Sequence, residues 1–584
     1  MVAVSERVGW RRRTWLIIAA AAVVVLAWVG LLAVRTWSAY RHDQQGLARL
    51  EQVKANLTPG ELTSPGSAHL LDAARAEFAS ATSDLSSPLF SPVTVVPVIG
   101  RQFRSVRALS AAAGTVSSVG ASFLTQVHDV LDRPHSAGPQ RVASLRELST
   151  IAASARRQLA AVDPGPSQAL AGPLRSKHDQ FVTQLNDARL RLAKAAGVSA
   201  VVATILQGPQ TYVVLASNNA EMRSGSGAFL DVGVATTADG SVHLGDLGPS
   251  GGRTLPVGAV PVTGEFERNW GWLNPSLDMR NLGWTPQFDV TAPLAATMWT
   301  TLTGQPVDGV ISVDVAGLRQ LLEATGPVQA GGQTVTADTV EPFLLHDQYN
   351  GLTDNATGGT SRQDALGSLT SAILRQLQGQ SLDIRGLGSA VSSAVAGRHL
   401  MVWSKNPVDQ AAWVVSGVSG SLTPRSVDVS VINLGGNKLD QYLPVQVAVT
   451  TARAGANTAV TLTTKMTNTT PAGQSQFIAG PFPGEPVGYG GYRGLISVNL
   501  PALASRPTLS GAGPLAVHGP EGPTSVMAAP LTLPQGATST VVVRFEMPGS
   551  HGSMTVVPSA RIPAEQWSYR GASFDDRAPT TITW

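Results

Sequence analysis

TYVVLASNNAEMRSGSGAFLDVGVAT, residues 211–236, is the stretch on which the fold of this chain turns. Its first six residues, Thr211–Ala216, form a β-branched run typical of a buried strand, and Gly227–Thr236 forms a second. Ser241–Asp246 supplies a third, with Ala-Asp-Gly as the turn between them. Downstream, Val290–Thr303 has helical spacing, Gly309–Val315 reads as a strand and Ala316–Ala324 as a helix. Thr336–Leu345 and Ser361–Leu377 also read as helices. Strands alternating with helices predict an α/β sheet covered on both faces, over residues 205–420.

Working outward, residues 425–584 change to short alternating segments such as SVDVSVINL, PVQVAVTTA and TSTVVVRFEM, separated by Pro, Gly and Asn. Even spacing of this kind predicts a β-sandwich domain. Upstream, residues 40–200 are rich in Ala, Leu, Arg, Gln and Glu. Apolar residues recur there at three and four spacing, as at Leu47, Leu50 and Val53, which predicts helices. Pro-Gly-Ser breaks at 59–66, 134–139 and 164–167, and a further break at 86–102, divide this region into about four helices. Asn56, Asn355 and Asn468 lie in N-x-S/T triplets, a pattern common by chance.

Trp15–Val34, WLIIAAAAVVVLAWVGLLAV, has no charge and is about the 20 residues needed to cross a bilayer as a helix. Arg11, Arg12 and Arg13 precede it and favour a cytoplasmic tail over residues 1–14. A cleaved signal peptide would have an apolar core of about 7–15 residues and a small-residue cleavage site. The run here is longer and its exit, VRTWSAYRHD, offers no such site, so the expectation is an uncleaved signal anchor. The sequence offers no second segment of comparable length, which predicts a single pass with the bulk extracytoplasmic. The fold class is therefore multidomain: an N-terminal transmembrane helix and helical bundle, a central α/β sheet domain, and a C-terminal β-sandwich.

Composition excludes several functions. The 584 residues carry 42 basic and 39 acidic side chains, a net charge of +3. That balance gives no basic stripe for nucleic acid. With Cys 0 there are no disulfides, thiolate metal sites or cysteine nucleophiles. Ten histidines occur with no HExxH or HxxxH pair, so no metal site and no cofactor are expected.

The densest polar cluster is Ser217–Phe229, directly after the first predicted strand. Ligands of open α/β sheets bind beyond the carboxyl ends of strands, so Asn218, Asn219, Glu221 and Arg223 are candidates to converge on a crevice. Gly225 and Gly227 would admit close backbone approach to a ligand. The alternative is a hydrogen-bonded turn in which the Asn side chains serve the backbone and Glu221 pairs with Arg223. A second candidate is 265–288, with Trp272 and Trp284 as aromatic platforms and Asp278 and Arg280 as polar ligands; its alternative is a long loop pinned by its own tryptophans. Arg362, at the opening of a predicted helix, is a third anion ligand or else a surface charge. No GxSxG motif supports a serine nucleophile.

ASNNAEMRSGSGAFLDVGV, LNPSLDMRNLGWTPQF, VDGVISVDVAGLRQLLEATGPV, GRHLMVWS, GGNKLDQY and, in the helical part, VPVIGRQFRSVRAL resemble the bacterial envelope family known as domain of unknown function 4012. That resemblance implies a membrane-anchored protein of Gram-positive bacteria in a polysaccharide or cell-wall context. A looser likeness reaches the LytR-CpsA-Psr phosphotransferases, which attach lipid-pyrophosphate-linked glycopolymers to the wall. There Glu221 and Arg223 stand at an early Asp-x-Arg and Arg362 at a later Arg-Gln motif. The chain lacks their Arg-x-Asp-Thr stretch near GSGAF and their Pro-Arg-Asp stretch at 245–252. Losing those arginines removes much of the charge that holds a pyrophosphate.

Three functions follow as expectations. The first is an envelope module that binds a glycopolymer, a lipid-linked precursor or an envelope partner protein. The second is a phosphotransferase whose prenyl-pyrophosphate pocket is lined by Arg223, Arg280 and Arg362, with a divalent cation. The third is a non-catalytic scaffold for other envelope proteins.

Overall fold

The computed structural model describes residues 6–55, 65–133, 138–330, 332–349, 358–379, 384–482 and 484–584, without the side chains of 6–22, 55, 65, 358–364, 377–379 and 384–385. Asn56, Asn355 and the side chain of Arg362 lie outside the described residues. Two compact units form, Met1–Arg133 with Ser144–Ser199, and Pro134–Ala143 with Ala200–Trp584.

In the first unit Glu6–Ala55 is one helix, so the apolar segment 15–34 continues without a break into the polar turns that follow. The helix Pro65–Leu85 runs back along it: Leu50 and Val53 meet Ala68 and Leu71, while Ala39 meets Ala81 and Leu85. An ion pair and a hydrogen bond fix the register, with Arg35 2.6 Å from Asp84 and His42 Nδ1 2.7 Å from Glu77. The helix Pro97–Leu131 packs on both, placing Phe103 and Val106 beside Ala39, and Leu124 beside Leu71. Its other side joins Gly138–Ala160 and Gly172–Gln207 through Val119, Leu159 and Leu185. Three helices of the described chain are long and apolar enough to cross a membrane: Val23–Lys54 near the N-terminus, Pro97–Leu131 and Gly172–Gln207. The last two qualify through Ala- and Val-rich windows in helices whose other turns carry Arg and Lys, so the sequence does not present them as uninterrupted apolar runs.

In the second unit a mixed sheet runs in the order β3 (Ser241–Leu244), β2 (Gly227–Ala238), β1 (Gln210–Met222), β5 (Gly309–Asp314) and β8 (Leu400–Ser404), with β4 (Gly248–Pro249) against β2. Only β1 and β5 pair in parallel; β1–β2, β2–β3 and β5–β8 are antiparallel. Asp239 and Gly240 both take positive φ, 49° and 79°, closing the β2–β3 hairpin as a two-residue turn of the twist-matched type. Side chains alternate along β1. Val213 and Leu215 pack toward the helix Phe288–Thr303, while Val214 and Ala216 pack toward Val315–Thr325 and Leu366, Leu369 and Ile373. Both faces are thus covered, as expected. The helix expected over 336–345 is confined to Val340–Leu345: after the ribbon of β6 (Val328–Ala330) and β7 (Gln333–Val335), Thr336 and Thr339 close a turn, with Thr336 N bonded to Thr339 Oγ1 at 2.9 Å.

Two six-stranded sheets follow. One has the order β13 (Ser505–Ser510), β16 (Thr538–Pro548), β11 (Asn457–Thr467), β10 (Val445–Ala454), β18 (Gln566–Tyr569), β19 (Ala572–Asp575). The other has β14 (Val517–Glu521), β15 (Thr524–Leu533), β12 (Tyr492–Pro501), β9 (Ser426–Asn433), β17 (Ser553–Val556), β20 (Thr580–Thr583). Their inward residues share one core, including Val429, Val447, Leu462, Val498, Val543 and Trp567. Part of the outward side of the second sheet is covered by the α/β part. Ile432, Leu495, Val526 and Ala528 join the core that holds Trp270, Met279 and Leu282 of the α/β part. Asn468 is buried, donating to Gly490 and Leu533 carbonyls at 2.8 and 3.0 Å, so its triplet is structural.

Candidate functional site

β1 does not end where its apolar run ends. It continues through Ser217–Met222, so the polar cluster is itself strand. Asn and Glu are weak strand formers, and tertiary partners hold them here. Asn218 Nδ2 donates to the Leu344 carbonyl at 3.0 Å and the Tyr349 hydroxyl at 2.9 Å. Asn219 Nδ2 donates to Asp314 Oδ2 and to the Ala560 carbonyl, both at 2.8 Å, and its Oδ1 accepts from Val315 N at 3.1 Å. The pairing with β2 slips between Ala216 and Ser217 and again between Asn218 and Met222. Such bulges re-aim side chains. Here Asn218 and Glu221 reach one cavity, while Asn219 turns to Asp314, whose Oδ2 is also 2.8 Å from His399 Nδ1.

That cavity has a volume of about 400 Å³. The strands β1 and β2 contribute Asn218, Glu221, Leu230 and Asp231; Tyr349 and Leu366 come from beyond β5; Arg280 comes from the Trp-rich stretch. The opposite wall is Gly435, Gly436, Lys438, Phe477, Phe482 and Glu485, from the segments around the two C-terminal sheets. Tyr349 stacks on Phe477 at 5.4 Å between ring centres, and Phe482 meets Phe477 edge-on at 5.9 Å. Lys438 Nζ lies 6.0 Å from the centre of Tyr349 and 5.7 Å from that of Phe477.

Glu221 is the electrostatic centre of this wall. Burial pushes its carboxyl up, but Lys438 and Arg223 outweigh burial and hold it below the usual glutamate value. Lys438 binds one oxygen, and Arg223 Nη2 binds the other at 3.0 Å. Arg223 stands behind Glu221 rather than in the cavity wall. Its guanidinium also donates to the carbonyls of Asn433 at 2.9 Å, Met222 at 3.2 Å and Arg280 at 3.3 Å, and lies 4.8 Å over the Trp284 ring. Trp284 is buried in the core. Asp278 caps the short turn Met279–Asn281 and grips Arg280, with Nη2 to Oδ2 at 2.6 Å, aiming that arginine at the cavity. The Asp278 carboxylate raises the Arg280 guanidinium above the usual arginine value. Trp272 is 52% exposed, with its Nε1 bonded to the Asn269 carbonyl at 3.1 Å, away from the cavity.

The two glycines of the cluster serve the protein's own backbone. A Cβ at Gly227 would stand 2.2 Å from the Asn218 carbonyl oxygen, and one at Gly225, whose φ is 73°, would stand 3.2 Å from Pro286. Neither lines the cavity.

Of the cavity residues, Asn218, Glu221 and Arg280 were readable as candidates in the sequence, whereas Lys438, Tyr349, Phe477, Phe482 and Glu485 were not. Lys438 is 217 positions from Glu221. Its one signal was the GGNKLDQY motif, which also supplies Asp440. That buried carboxylate accepts from Met222 N at 3.0 Å, Asn433 at 2.9 Å and Arg561 at 2.9 Å, tying the end of β1 to the neighbouring sheet.

The second unit is thus a mixed-sheet domain joined to a pair of six-stranded sheets, with a polar and aromatic cavity at the seam. Residues 207–349 match the family model described as Protein of unknown function (DUF4012). The match contains β1, β2, β5 and the cavity residues from Asn218 to Tyr349; GRHLMVWS and GGNKLDQY lie beyond it. No curated protein and no solved structure matches the chain.

Proposed function

We propose that this is a single-pass, membrane-anchored envelope protein with its bulk outside the cytoplasm, and that the cavity binds a sugar-bearing ligand: a glycopolymer segment or the head of a lipid-linked precursor. The observation that carries this reading is the cavity wall, where the rings of Tyr349, Phe477 and Phe482 stand beside the fixed polar groups of Asn218, Glu221, Lys438 and Arg280. Aromatic faces take the apolar side of a sugar ring, and a few oriented polar groups take its hydroxyls. The apolar helix near the N-terminus is compatible with anchoring, while Pro97–Leu131 and Gly172–Gln207 share a core with Gly138–Ala160. The two C-terminal sheets, read as a sandwich, form the far wall of the site.

Binding of isolated wall-glycopolymer fragments to the full chain, followed by ligand-observed NMR, tests this. Arg280→Ala and Phe482→Ala, both at partly exposed positions, are expected to weaken binding at least about tenfold, the loss of roughly 1.4 kcal/mol. Fragments that bind both variants and the parent alike, or bind none, overturn it. The phosphotransferase reading needs several arginines at one pocket. Arg223 is committed to Glu221, Trp284 and three carbonyls, which favours binding over transfer. Metal-dependent phosphate release from a prenyl pyrophosphate, lost in Arg280→Ala, would reverse that preference.

A further inference from the structure

The helices Pro65–Leu85 and Pro97–Leu131 lie along the helix Glu6–Ala55 as a hairpin, and their connection points toward the apolar end of that helix. Arg35, just past the segment 15–34, pairs with Asp84 at 2.6 Å. Beyond that pair the connection goes further: Trp28 Nε1, inside the apolar segment, donates to the Leu89 carbonyl at 3.0 Å. Trp28 is six residues from Val34, which at 1.5 Å per residue is about 9 Å along the helix.

From Leu85 to Gly100, LSSPLFSPVTVVPVIG, no residue is charged, and Asp84 and Arg101 flank it. Its tip is apolar and uncovered, with Val95 79%, Val98 71% and Ile99 58% exposed. Several backbone groups of the tip are satisfied locally, and the Thr94 carbonyl accepts from Arg104 Nη1 at 2.8 Å. Pro88, Pro92 and Pro97 have no N–H to satisfy. Phe90 N bonds Ser87 O at 3.0 Å, Val96 N bonds Val93 O at 3.3 Å and Gly100 N bonds Val96 O at 2.7 Å. Phe90 is buried and stacks on Phe103 at 4.4 Å, which holds the tip in shape. Non-helical backbone survives in a bilayer only where such groups are met internally.

We infer that Ser86–Gly100 is a second membrane contact: a rigid apolar wedge seated in the bilayer beside the anchor helix. The occupant of the exposed Val95–Ile99 face is lipid, because the face is continuous with the anchor at Trp28. A hairpin fixed in the same leaflet sets the tilt and rotation of the first unit on the membrane, which a single helix leaves free. This inference rests on the anchor reading above.

The cysteine-free chain makes the test direct. Val25→Cys, Val98→Cys and Leu503→Cys are each labelled with an environment-sensitive fluorophore in the full-length protein and reconstituted into vesicles containing lipid-borne quencher. The expected result is a blue-shifted emission at position 98, quenched as strongly as that at position 25, with position 503 quenched only by aqueous iodide. A probe at 98 that answers to iodide and not to lipid, while 25 answers to lipid, overturns the wedge and leaves the anchor standing. A probe at 25 that does not answer to lipid overturns both.

Discussion

Lys438 and Glu221 are both buried and paired, and Glu221 also holds Arg223. Removing one member of a buried pair with no other partner costs about 3–5 kcal/mol, whereas removing both is far milder. Because Arg223 stays on Glu221 when Lys438 is lost, Lys438→Met is expected to lower the unfolding free energy read from urea melts by about 1–3 kcal/mol, and Lys438→Met with Glu221→Gln to cost less than the two single losses added; strictly additive losses would contradict the pairing. Because the folded Glu221 carboxyl is held below its usual 4.5, its contribution is present above that value and disappears as pH falls through the lower folded value. Asp428 runs the other way. Burial pushes its carboxyl up to about 7 from 3.8, against the opposing pull of Ser430 and Arg398. Its contribution is complete below 3.8 and is lost as pH rises to about 7. Asp428→Asn removes that slope. Its stability relative to the parent is expected to rise by on the order of 4 kcal/mol between acid and mildly alkaline pH, read from denaturant midpoints.

At the scale of elements, β1 holds most of what the sequence revealed and most of what it hid. TYVVLA was legible as a strand because β-branched residues covered on both faces leave a continuous apolar run. SNNAEM was not, since its conformation depends on Asp314, Tyr349, Asp440 and Ala560, none of them near in sequence. The polar cluster had two readings, ligand site or hydrogen-bonded turn; in the structure Asn218 and Glu221 line the cavity and bond to the chain at once. The wall supplied by Lys438 and Phe477 was hidden for the same reason, being made by distant segments. The second slip in the β1–β2 ladder depends on Gly227, whose missing Cβ admits the Asn218 backbone. Gly227→Ala is expected to cost about 1–3 kcal/mol by overpacking, seen in thermal melts, and to disturb the tyrosine ring signal of Tyr349 through Asn218. An unchanged melt would mean that the slip accommodates a methyl group.

Across the whole second unit, the core of the α/β part is finished by residues from the neighbouring sheet, Ile432, Leu495, Val526 and Ala528. The buried Asp440–Arg561 pair, 2.9 Å apart, sits on the same seam. The family-matched stretch 207–349 lacks all of these and the strand β8 as well. Expressed alone, it is expected to show no cooperative melt and poorly dispersed NMR spectra, while residues 200–584 melt as one transition. A well-folded 207–349 fragment would show that the seam is dispensable. The cavity opens on this seam, with walls from segments more than 200 positions apart, such as Glu221 and Lys438. Any molecule that fills it therefore bridges two parts that must come apart on unfolding. Occupancy then adds to stability as the logarithm of free ligand over its dissociation constant. A thermal-shift screen of candidate envelope sugars would let the protein itself report which of them it holds.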